Sequence, residues 1–344
     1  LLQGFADHNL NVDLLTIRRP PNLEDELPPT VRLWDLGVAH SMLAVPALTR
    51  YLRNNRPVAL LAAKDRAIRL AVIARRLAGV DTRLVGRLGT HLSTALADKY
   101  RLQRWLRCRP MRWLYPQADQ IVAVSQGVAD DTVALTGLSQ DRVTVVRNPV
   151  ITPRLLRLAT EPVAHPWFTD QGPPIILGAG RLTRQKDFPT LLRAFAAVRR
   201  ARPARLMILG AGKQRADLQT QATHLDIADA VALPGFTDNP YAYMAKAAVF
   251  ALSSLWEGSP NVLTEALALG TPVVATDCPS GPREVLQNGQ FGPLVPVGDA
   301  AALSKAILQV LDSPPDPDML RSAVSEYDLE HSVSGYLRAL NLAV

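Results

Sequence analysis

A run of basic residues in the second half of the chain has the composition of a phosphate-binding loop. Residues 180–187 read Gly-Arg-Leu-Thr-Arg-Gln-Lys-Asp, which places Arg181, Arg184 and Lys186 between a predicted strand and a helix that begins near Phe188. Loop amides and the dipole of a helix start attract anions, and each charge-assisted hydrogen bond contributes about 1.5–3 kcal/mol. The loop therefore predicts a phosphate or diphosphate site, with a solvated basic loop as the alternative.

A second motif places two carboxylates beside a predicted helix start. Glu257 precedes that start and Glu265 lies two turns inside the helix. Ser259 is the predicted N-cap, and Pro260 suits the first turn. The backbone amides predicted to point toward the end of the preceding strand are those of Asn261, Val262 and Leu263. Carboxylates accept hydrogen bonds from sugar hydroxyls, so this combination predicts a nucleotide-sugar site; the alternative is a capping acid plus a surface glutamate.

Two glycine turns follow predicted strands, at Gly178-Ala179-Gly180 and Gly210-Ala211-Gly212. A dinucleotide fingerprint needs a third glycine, where this chain has Thr183 and Arg215, and an acidic residue about 20 positions further on. Arg199 and Arg200 stand at that distance from the first turn and have the wrong charge. A nicotinamide cofactor is therefore not expected.

The elements that position these residues alternate between short apolar runs and helical segments. Each half of the chain contains six such runs, and 10–15-residue helical patterns separate them, which is typical of βαβ units and parallel sheets. The helical patterns include residues 92–106, 188–201 and 261–269. The fold class predicted is α/β with two doubly wound, Rossmann-like domains, whose ligands gather at the carboxyl ends of the strands.

A proline-rich stretch interrupts this alternation and sets the expected domain boundaries. The predicted regions are a first domain over 1–150, a linker over 151–173, a second domain over 174–325 and a C-terminal helix over 326–344 that packs on the first domain. The chain opens inside a helical pattern, residues 1–8, where a doubly wound domain normally opens with a strand and a glycine turn. We expect that the first domain lacks its N-terminal strand because the chain is a fragment of a normal enzyme; an incomplete first domain is the alternative.

The composition excludes several classes of protein. The chain has 344 residues, of which 48% are hydrophobic and 20% charged, which is ordinary globular usage and excludes disordered and fibrous proteins. No apolar run approaches the ~18 residues of a membrane span, and no export signal is visible. Cys108 and Cys278 are the two cysteines, so a disulfide framework is excluded and a reducing, cytoplasmic location is expected.

The positive charge is concentrated in the first half. Residues 1–165 carry 23 basic and 14 acidic side chains, a net +9, against 15 and 17 in the remainder, a net −2, which together give the +7 of the chain. Within Arg101–Arg112 the arginines interleave with Trp105 and Leu106 at helical spacing. Such a stretch either lies on an anionic membrane surface or is a solvated helix face whose tryptophans pack inward. Nucleic acid is not an expected partner, because the chain has no groove-reading motif.

These motifs together resemble the retaining glycosyltransferases of family four, which have the GT-B architecture. The resemblance lies in Gly180-Arg181-Leu182 with Lys186, in Glu257 and Glu265 separated by seven residues, and in the segment 266–274 that follows. Further similar segments are 125–128 with 148–149 in the first half, and 280–284 with 292–299 in the second. The resemblance covers nearly the whole chain and implies two Rossmann-like domains that face each other across a cleft.

The resemblance also implies a role for each site residue. Arg181 and Lys186 would hold the donor diphosphate beside Gly180. Glu265 would bind the ribose hydroxyls, and Glu257 hydroxyls of the donor sugar. The backbone amides of Asn261, Val262 and Leu263 would cap the distal phosphate, and Ser259 would also belong to the donor-binding set. Phe236, in the turn 234–237, would lie beside the nucleobase, most often uracil. His91, in Gly89-Thr90-His91, is in the place of a first-domain histidine that reaches into the cleft; a structural histidine is the alternative.

The expected reaction is transfer of a hexosyl or N-acetylhexosaminyl group, with retained configuration, from a UDP-linked donor to a glycan or lipid-linked acceptor. Protein cations would take the place of a divalent ion, so neither a cofactor nor a metal is expected. The expected location is cytoplasmic, peripheral on the inner face of the cell membrane. The alternatives are a non-catalytic subunit that binds a nucleotide sugar, and a nucleotide-sugar epimerase.

Overall fold

Apolar runs bounded by loops form parallel strands in both halves of the chain. The computed structural model describes residues 1–17, 23, 27–38, 40, 43–97, 100–169 and 172–342, without the side chains of Arg101 and Arg104. The chain divides into two compact units, which are Leu1–Pro149 with Leu329–Val344, and Val150–Asp328.

The strands of the first unit form two parallel sheets. In chain order they are β1 (Val12–Thr16), β2 (Val31–Asp35), β3 (Ala59–Ala63), β4 (Arg83–Leu88), β5 (Gln120–Ala123) and β6 (Val143–Val145). β1 pairs with β2, whereas β3, β4, β5 and β6 form a four-stranded sheet in that order. Each of the six strands expected in this half is present. In the described residues β1 and β3 belong to separate sheets.

Amphipathic helices cover the four-stranded sheet. They are α1 (Leu2–Asp7), α2 (Ala44–Asn55), α3 (Asp65–Ala78), α4 (Leu92–Ala95), α5 (Arg101–Leu114) and α6 (Gln126–Thr136). Ile68 and Val72 of α3 are buried against Leu84 and Ile121 of the sheet. Ser125 caps α6, since its side chain accepts a hydrogen bond from the Val128 amide at 3.3 Å.

One predicted helix is two helices. The pattern over residues 92–106 predicts a single helix, but α4 ends at Ala95 and α5 begins at Arg101. Tyr100 has extended backbone angles, so the helix cannot run through it. Asp131 of α6 holds the first turn of α4, whereas α5 is anchored separately through the buried Met111. The apolar spacing continues across the break, which is why the pattern conceals it.

The second unit is a doubly wound sheet of six parallel strands. They are β7 (Ile175–Ala179), β8 (Arg205–Leu209), β9 (Val231–Gly235), β10 (Val249–Leu252), β11 (Val273–Thr276) and β12 (Leu294–Val295), in the spatial order β12-β11-β10-β7-β8-β9. β7 and β10 are buried at every position, as continuous apolar runs predict. Strands are present at all six positions expected in this half.

The helices of this unit pack on both faces of its sheet. They are α7 (Pro153–Ala159), α8 (Phe188–Ala201), α9 (Arg215–His224), α10 (Pro240–Lys246), α11 (Asn261–Ala268), α12 (Pro282–Val285), α13 (Ala300–Asp312) and α14 (Pro317–Ser322). In α8, Leu191, Leu192 and Phe195 are fully buried. Burial of each such side chain stabilises the fold by about 1.5–3 kcal/mol. Packing, rather than helix propensity, therefore holds α8 on the sheet.

The segment expected to be a linker is part of the second unit. Thr152 caps α7 through a hydrogen bond from the Leu155 amide, and Pro153 occupies the first helical position. Leu155 is buried, and the Asn239 side chain donates to the Leu158 carbonyl at 2.8 Å. One of the prolines that suggest a linker, Pro153, therefore starts a packed helix instead.

The final helix, α15 (Leu329–Leu340), packs against the first unit. Val333, Tyr336 and Leu337 share a core cluster with Val85 and Val122 of the four-stranded sheet. Polar contacts hold the same helix: the Arg87 guanidinium donates to the Tyr336 hydroxyl at 2.9 Å, and Arg83 donates to the Ala339 carbonyl. The two ends of the chain thus build one unit.

Candidate functional site

The loops after β7 and β10 meet at the switch point of the six-stranded sheet. From β7 the chain builds β8 and β9 on one side, and then β10, β11 and β12 on the other. β7 and β10 are neighbours whose connections leave in opposite directions, which opens a crevice at their carboxyl ends. The basic loop follows β7, and the two-carboxylate motif follows β10. The topology therefore brings together the two motifs that sequence spacing had singled out.

Lys186 and Glu257 form an ion pair across this switch point. The Lys186 Nζ lies 2.6 Å from the Glu257 Oε1, and 15% and 8% of the two side-chain surfaces are exposed. The Ser254 hydroxyl donates to the same carboxylate oxygen at 2.7 Å. Gln185 donates to the Trp256 carbonyl at 3.0 Å, which fixes the loop that carries Glu257. The pair is thus nearly enclosed and held by neighbours on both loops.

Two glycines let these loops approach closely. Gly180 has a φ of +151°, and a Cβ there would lie 2.8 Å from the Lys186 Cε. Gly210 has a φ of +128°, and its Cβ would lie 2.0 Å from the Gly180 carbonyl oxygen. Residues that carry a Cβ rarely adopt these φ angles, and at either position a Cβ would push the loops apart. The glycine turns therefore serve loop-against-loop packing and the path of the Lys186 side chain.

Glu265 lies near Lys186, half-buried on α11. Burial raises the pKa of Glu265 to about 7, and the positive charge of Lys186 only partly offsets this. Burial and the Glu265 charge also raise the pKa of Tyr241. A carboxyl that is close to half-ionised at neutral pH can both donate and accept hydrogen bonds, which suits contact with vicinal hydroxyls.

The start of α11 differs from the prediction. Pro260, not Ser259, is the N-cap residue, and no side chain caps the helix. The Leu263 amide donates to the Pro260 carbonyl at 2.9 Å, so the expectation that this amide points outward is wrong. The Leu263 amide is therefore used within the tight first turn of the helix. Asn261 and Val262 occupy the first two positions of the helix.

Phe236 and Arg181 extend the same end of the sheet with exposed side chains. Phe236 follows β9 and is 75% exposed. The Gly210 amide donates to the Gly235 carbonyl at 2.7 Å, which joins the β8 and β9 loops and places the ring beside them. Arg181 follows β7 and is exposed. Within the part of the chain that the structure describes, its guanidinium has no protein partner, so it is available to an anion.

His91 belongs to the first unit, where it caps α4. Its Nδ1 lies 3.0 Å from the Thr94 hydroxyl, and the Thr94 amide points to the same nitrogen. Asp131 lies 3.7 Å from this nitrogen and accepts hydrogen bonds from the amides of Leu92 and Ser93 at 2.6 and 3.1 Å. The buried Asp131 carboxylate thus holds the loop that carries His91.

Three residues that support the site were not predicted. Ser254 and Gln185 contact Glu257 or its loop, and Asp131 holds the His91 loop. A signal existed for Ser254, which lies two positions after the carboxyl end of a buried strand. Asp131 lies in mid-helix, 40 positions after His91, and only the fold brings the two together.

The chain contains one Asp-x-Asp triplet, Asp316-Pro317-Asp318, which lies at the start of α14 and caps that helix. Asp316 accepts a hydrogen bond from the Asp318 amide at the start of α14, and Arg321 pairs with Asp318. Among the described residues no group of three or more His, Cys, Asp or Glu side chains has the geometry of a metal site. The Asp316 and Asp318 carboxylates thus take part in local contacts at the start of α14.

Family models match both halves of the chain. The model described as glycosyl transferases group 1 matches residues 164–327, and the one described as glycosyltransferase family 4 matches residues 1–154.

The chain belongs to glycosyltransferase family four.

Curated relatives agree with the family. An N-acetylgalactosaminyltransferase of Campylobacter jejuni, named for a diphospho-undecaprenol substrate, is 35% identical over 61% of this chain and 54% of its own length. A lipopolysaccharide core glycosyltransferase of Rhizobium meliloti is 33% identical over 48% of this chain and 46% of its own. The matches to these relatives span about half of their length.

Solved structures share the GT-B fold of this family-four chain. Anabaena HepE in complex with UDP and glucose has a TM-score of 0.77 at 17% identity, covering 99% of this chain and 94% of its own. The lipopolysaccharide outer core galactosyltransferase WaaB has a TM-score of 0.75 at 19% identity, covering 99% and 93%. At these identities the likeness concerns the fold, which is the two-domain α/β class expected from the sequence.

Proposed function

We propose that this chain is a retaining glycosyltransferase that moves a hexosyl or N-acetylhexosaminyl group from a UDP-linked donor to a glycan or lipid-linked acceptor. The observation that carries the proposal is the Lys186–Glu257 pair beside Glu265 at the switch point of the six-stranded sheet. A cation next to two hydroxyl-binding carboxylates matches a ligand that has both a diphosphate and polyols.

Charged and polar groups of the second unit bind the different parts of the donor. Arg181 and Lys186 bind the diphosphate, with Gly180 allowing close approach of the backbone and the first turn of α11, at Asn261 and Val262, presenting amides beside Ser259. Glu265 binds the ribose hydroxyls, and Glu257 binds hydroxyls of the transferred sugar. Phe236 offers its exposed ring to the uracil. Leu263 is left out of this set because its amide is already bonded.

The reaction breaks the bond between the sugar C1 and the diphosphate oxygen. An acceptor hydroxyl attacks C1 from the same face, and its proton passes to the departing phosphate oxygen, so no enzymic nucleophile is required. Negative charge grows on the diphosphate as it leaves, and Arg181 and Lys186 stabilise that charge more in the transition state than in the ground state. Removing one preorganised donor of this type costs about 3 kcal/mol, or ~10²-fold in rate.

Two protein cations at the diphosphate support turnover without a divalent metal. They supply in advance the charge that a bound Mg²⁺ supplies in metal-dependent transferases. His91, whose loop is held by Asp131, is kept as a proposed catalytic residue.

The names of two relatives support a lipid-linked or glycan acceptor. The Campylobacter relative is named for a diphospho-undecaprenol substrate, and the Rhizobium relative for the lipopolysaccharide core. We propose that this chain meets such an acceptor in the cytoplasm, peripherally at the inner face of the cell membrane. In the described residues no helix is long and apolar enough to cross a bilayer.

A panel of nucleotide sugars tests the proposal. The protein is first screened by thermal shift with UDP- and other nucleoside-diphosphate sugars, and the stabilising donor is then incubated with lipid-linked and glycan acceptors. Transfer that releases UDP in the presence of EDTA, with retained configuration, is expected. Conversion of the donor without an acceptor would instead indicate an epimerase, and binding without UDP release with any acceptor a non-catalytic subunit.

A further inference from the structure

Helix α5 exposes an apolar stripe that nothing in the described first unit covers. Leu102, Trp105, Leu106 and Trp113 recur at helical spacing and are 66%, 49%, 56% and 69% exposed. The opposite side of the helix carries Met111, which is buried in the core. The tryptophans therefore do not pack inward, which removes the interpretation of this stretch as a helix with only a solvated polar face.

The stripe is also a shallow groove with walls of large side chains. Its volume is about 370 Å³, and its lining consists of Trp105, Leu106, Arg109, Pro110, Trp113 and Leu114. Single exposed apolar residues are ordinary on protein surfaces, but two tryptophans and two leucines on one helix face form a contiguous patch of the kind that marks an interaction site.

Positive charge accompanies the stripe. Residues 100–118 contain five arginines and no acidic residue. By helical spacing, Arg112 lies beside Trp105 and Arg107 lies further round the helix; both are exposed, and the Arg112 Nε donates to the Leu135 carbonyl at 3.0 Å. Arg109 lies within it, with its guanidinium carbon 4.7 Å from the centre of the Trp105 ring. The stacking keeps the Arg109 guanidinium beside the Trp105 indole. At a bilayer surface the guanidinium can therefore contact a lipid phosphate while the indole contacts apolar groups.

We propose that this face of α5 docks on an anionic lipid bilayer. Tryptophan prefers the bilayer interface, leucine side chains enter the acyl boundary, and arginines at the same height pair with lipid phosphates. The net +9 of residues 1–165 adds a longer-range attraction to an anionic leaflet. An acidic protein partner would match the arginines but not the exposed tryptophans and leucines of the stripe. Since α5 carries no donor-site residue, lipid docking and sugar transfer can fail independently.

Vesicle binding tests the surface, with a chemically matched control on another helix. Leu106 and Arg107 are exposed neighbours on α5, and Leu156 and Arg157 are exposed neighbours on α7. The double variants L106S/R107E and L156S/R157E change charge and hydrophobicity equally. We expect the unaltered protein to sediment with vesicles of phosphatidylglycerol and phosphatidylcholine, less with phosphatidylcholine alone, and less at high salt. L106S/R107E should lower the partition coefficient at least about tenfold, and L156S/R157E should leave it unchanged.

A second measurement covers the event that L106S/R107E folds poorly. Brominated phosphatidylglycerol should quench the tryptophan fluorescence of the unaltered protein, and W105F/W113F should lose that quenching. The proposal is overturned if the protein binds neutral and anionic vesicles equally or neither, if the two double variants bind alike, or if quenching persists in W105F/W113F. It is also overturned if L106S/R107E abolishes dimerisation in sedimentation while vesicle binding is unaffected, which would make the stripe a self-association surface.

Discussion

Lys186 and Glu257 come from loops 71 positions apart and are joined at 2.6 Å across the central strands of the second unit. The Glu257 carboxylate compensates the charge of Lys186 in this nearly enclosed place. In the proposed function a bound diphosphate would take over that role. A diphosphate that draws Lys186 toward itself leaves Glu257 with Ser254, free to accept a hydrogen bond from a sugar hydroxyl. Binding of the two halves of the donor would thus be linked.

Replacing Lys186 by methionine should separate two effects. Donor kcat/KM is expected to fall at least ~10²-fold, because the diphosphate loses a preorganised cation. The free energy of unfolding should fall by about 3 kcal/mol, because Glu257 is left nearly buried without its partner. The exposed Lys305→Met on α13 is the control and should change neither. Unaltered kinetics in K186M, measured with a stable protein, would remove Lys186 from the donor site.

Glu265 should make the fold less stable as the pH rises. Its pKa is raised from 4.5 to about 7 in the folded protein, so the folded state binds the proton more tightly than the unfolded state does. The destabilisation is absent below pH 4.5, grows between pH 4.5 and 7, and is complete above pH 7, where it amounts to about 3 kcal/mol. Urea unfolding of Glu265→Gln should show a weaker pH dependence over this window than the unaltered protein. The exposed Glu326→Gln is the control; if both variants follow the unaltered curve, Glu265 ionises normally.

Gly180→Ala should impair donor binding through Lys186. The new Cβ would lie 2.8 Å from the Lys186 Cε, and the φ of +151° would be strained. Gly289 also has a positive φ, +96°, but a Cβ there meets nothing within 4 Å. Both alanine variants should therefore lose about 1 kcal/mol of stability, whereas KM for the donor should rise about tenfold in G180A alone. Equal KM values for the two variants would show that the glycine serves only backbone conformation.

Asp131 should act through His91. Asp131→Asn weakens the acceptor that holds the Leu92 and Ser93 amides, and kcat is expected to fall about tenfold. Its neighbour Asp130, exposed and bonded to Gln126, provides the matched control, and Asp130→Asn should be silent. A double-mutant cycle with His91→Ala decides the mechanism, since the effects should not add if Asp131 works by positioning His91. Full additivity would mean that Asp131 supports stability alone.

Much of the fold follows from local pattern. Buried parallel strands are continuous apolar runs, and this property locates β7 and β10 and hence the loops that carry Lys186 and Glu257. The sequence also predicts that the side chains of these two loops lie at the same end of the sheet, because strand ends converge there.

Features that depend on packing between distant segments could not be predicted from the sequence. Helical periodicity over residues 92–106 cannot reveal that Tyr100 is extended, nor that Trp105 and Trp113 face outward while Met111 faces the core. Ser259 has a suitable side chain for a cap, but Pro260, which lies close to Gly281, is the N-cap residue, and its carbonyl accepts a hydrogen bond from the Leu263 amide. In each case a tertiary contact overrides a local preference.

Calorimetric titration of UDP in EDTA tests the central claim most directly, that protein cations at the switch point hold the diphosphate. The comparison is between the unaltered protein, Arg181→Glu in the exposed loop after β7, and Arg200→Glu, an equal charge reversal exposed at the end of α8. UDP should bind the unaltered protein and R200E with the same affinity and bind R181E at least ~10²-fold more weakly. Equal affinity for all three proteins, or affinity that requires added Mg²⁺, would contradict it.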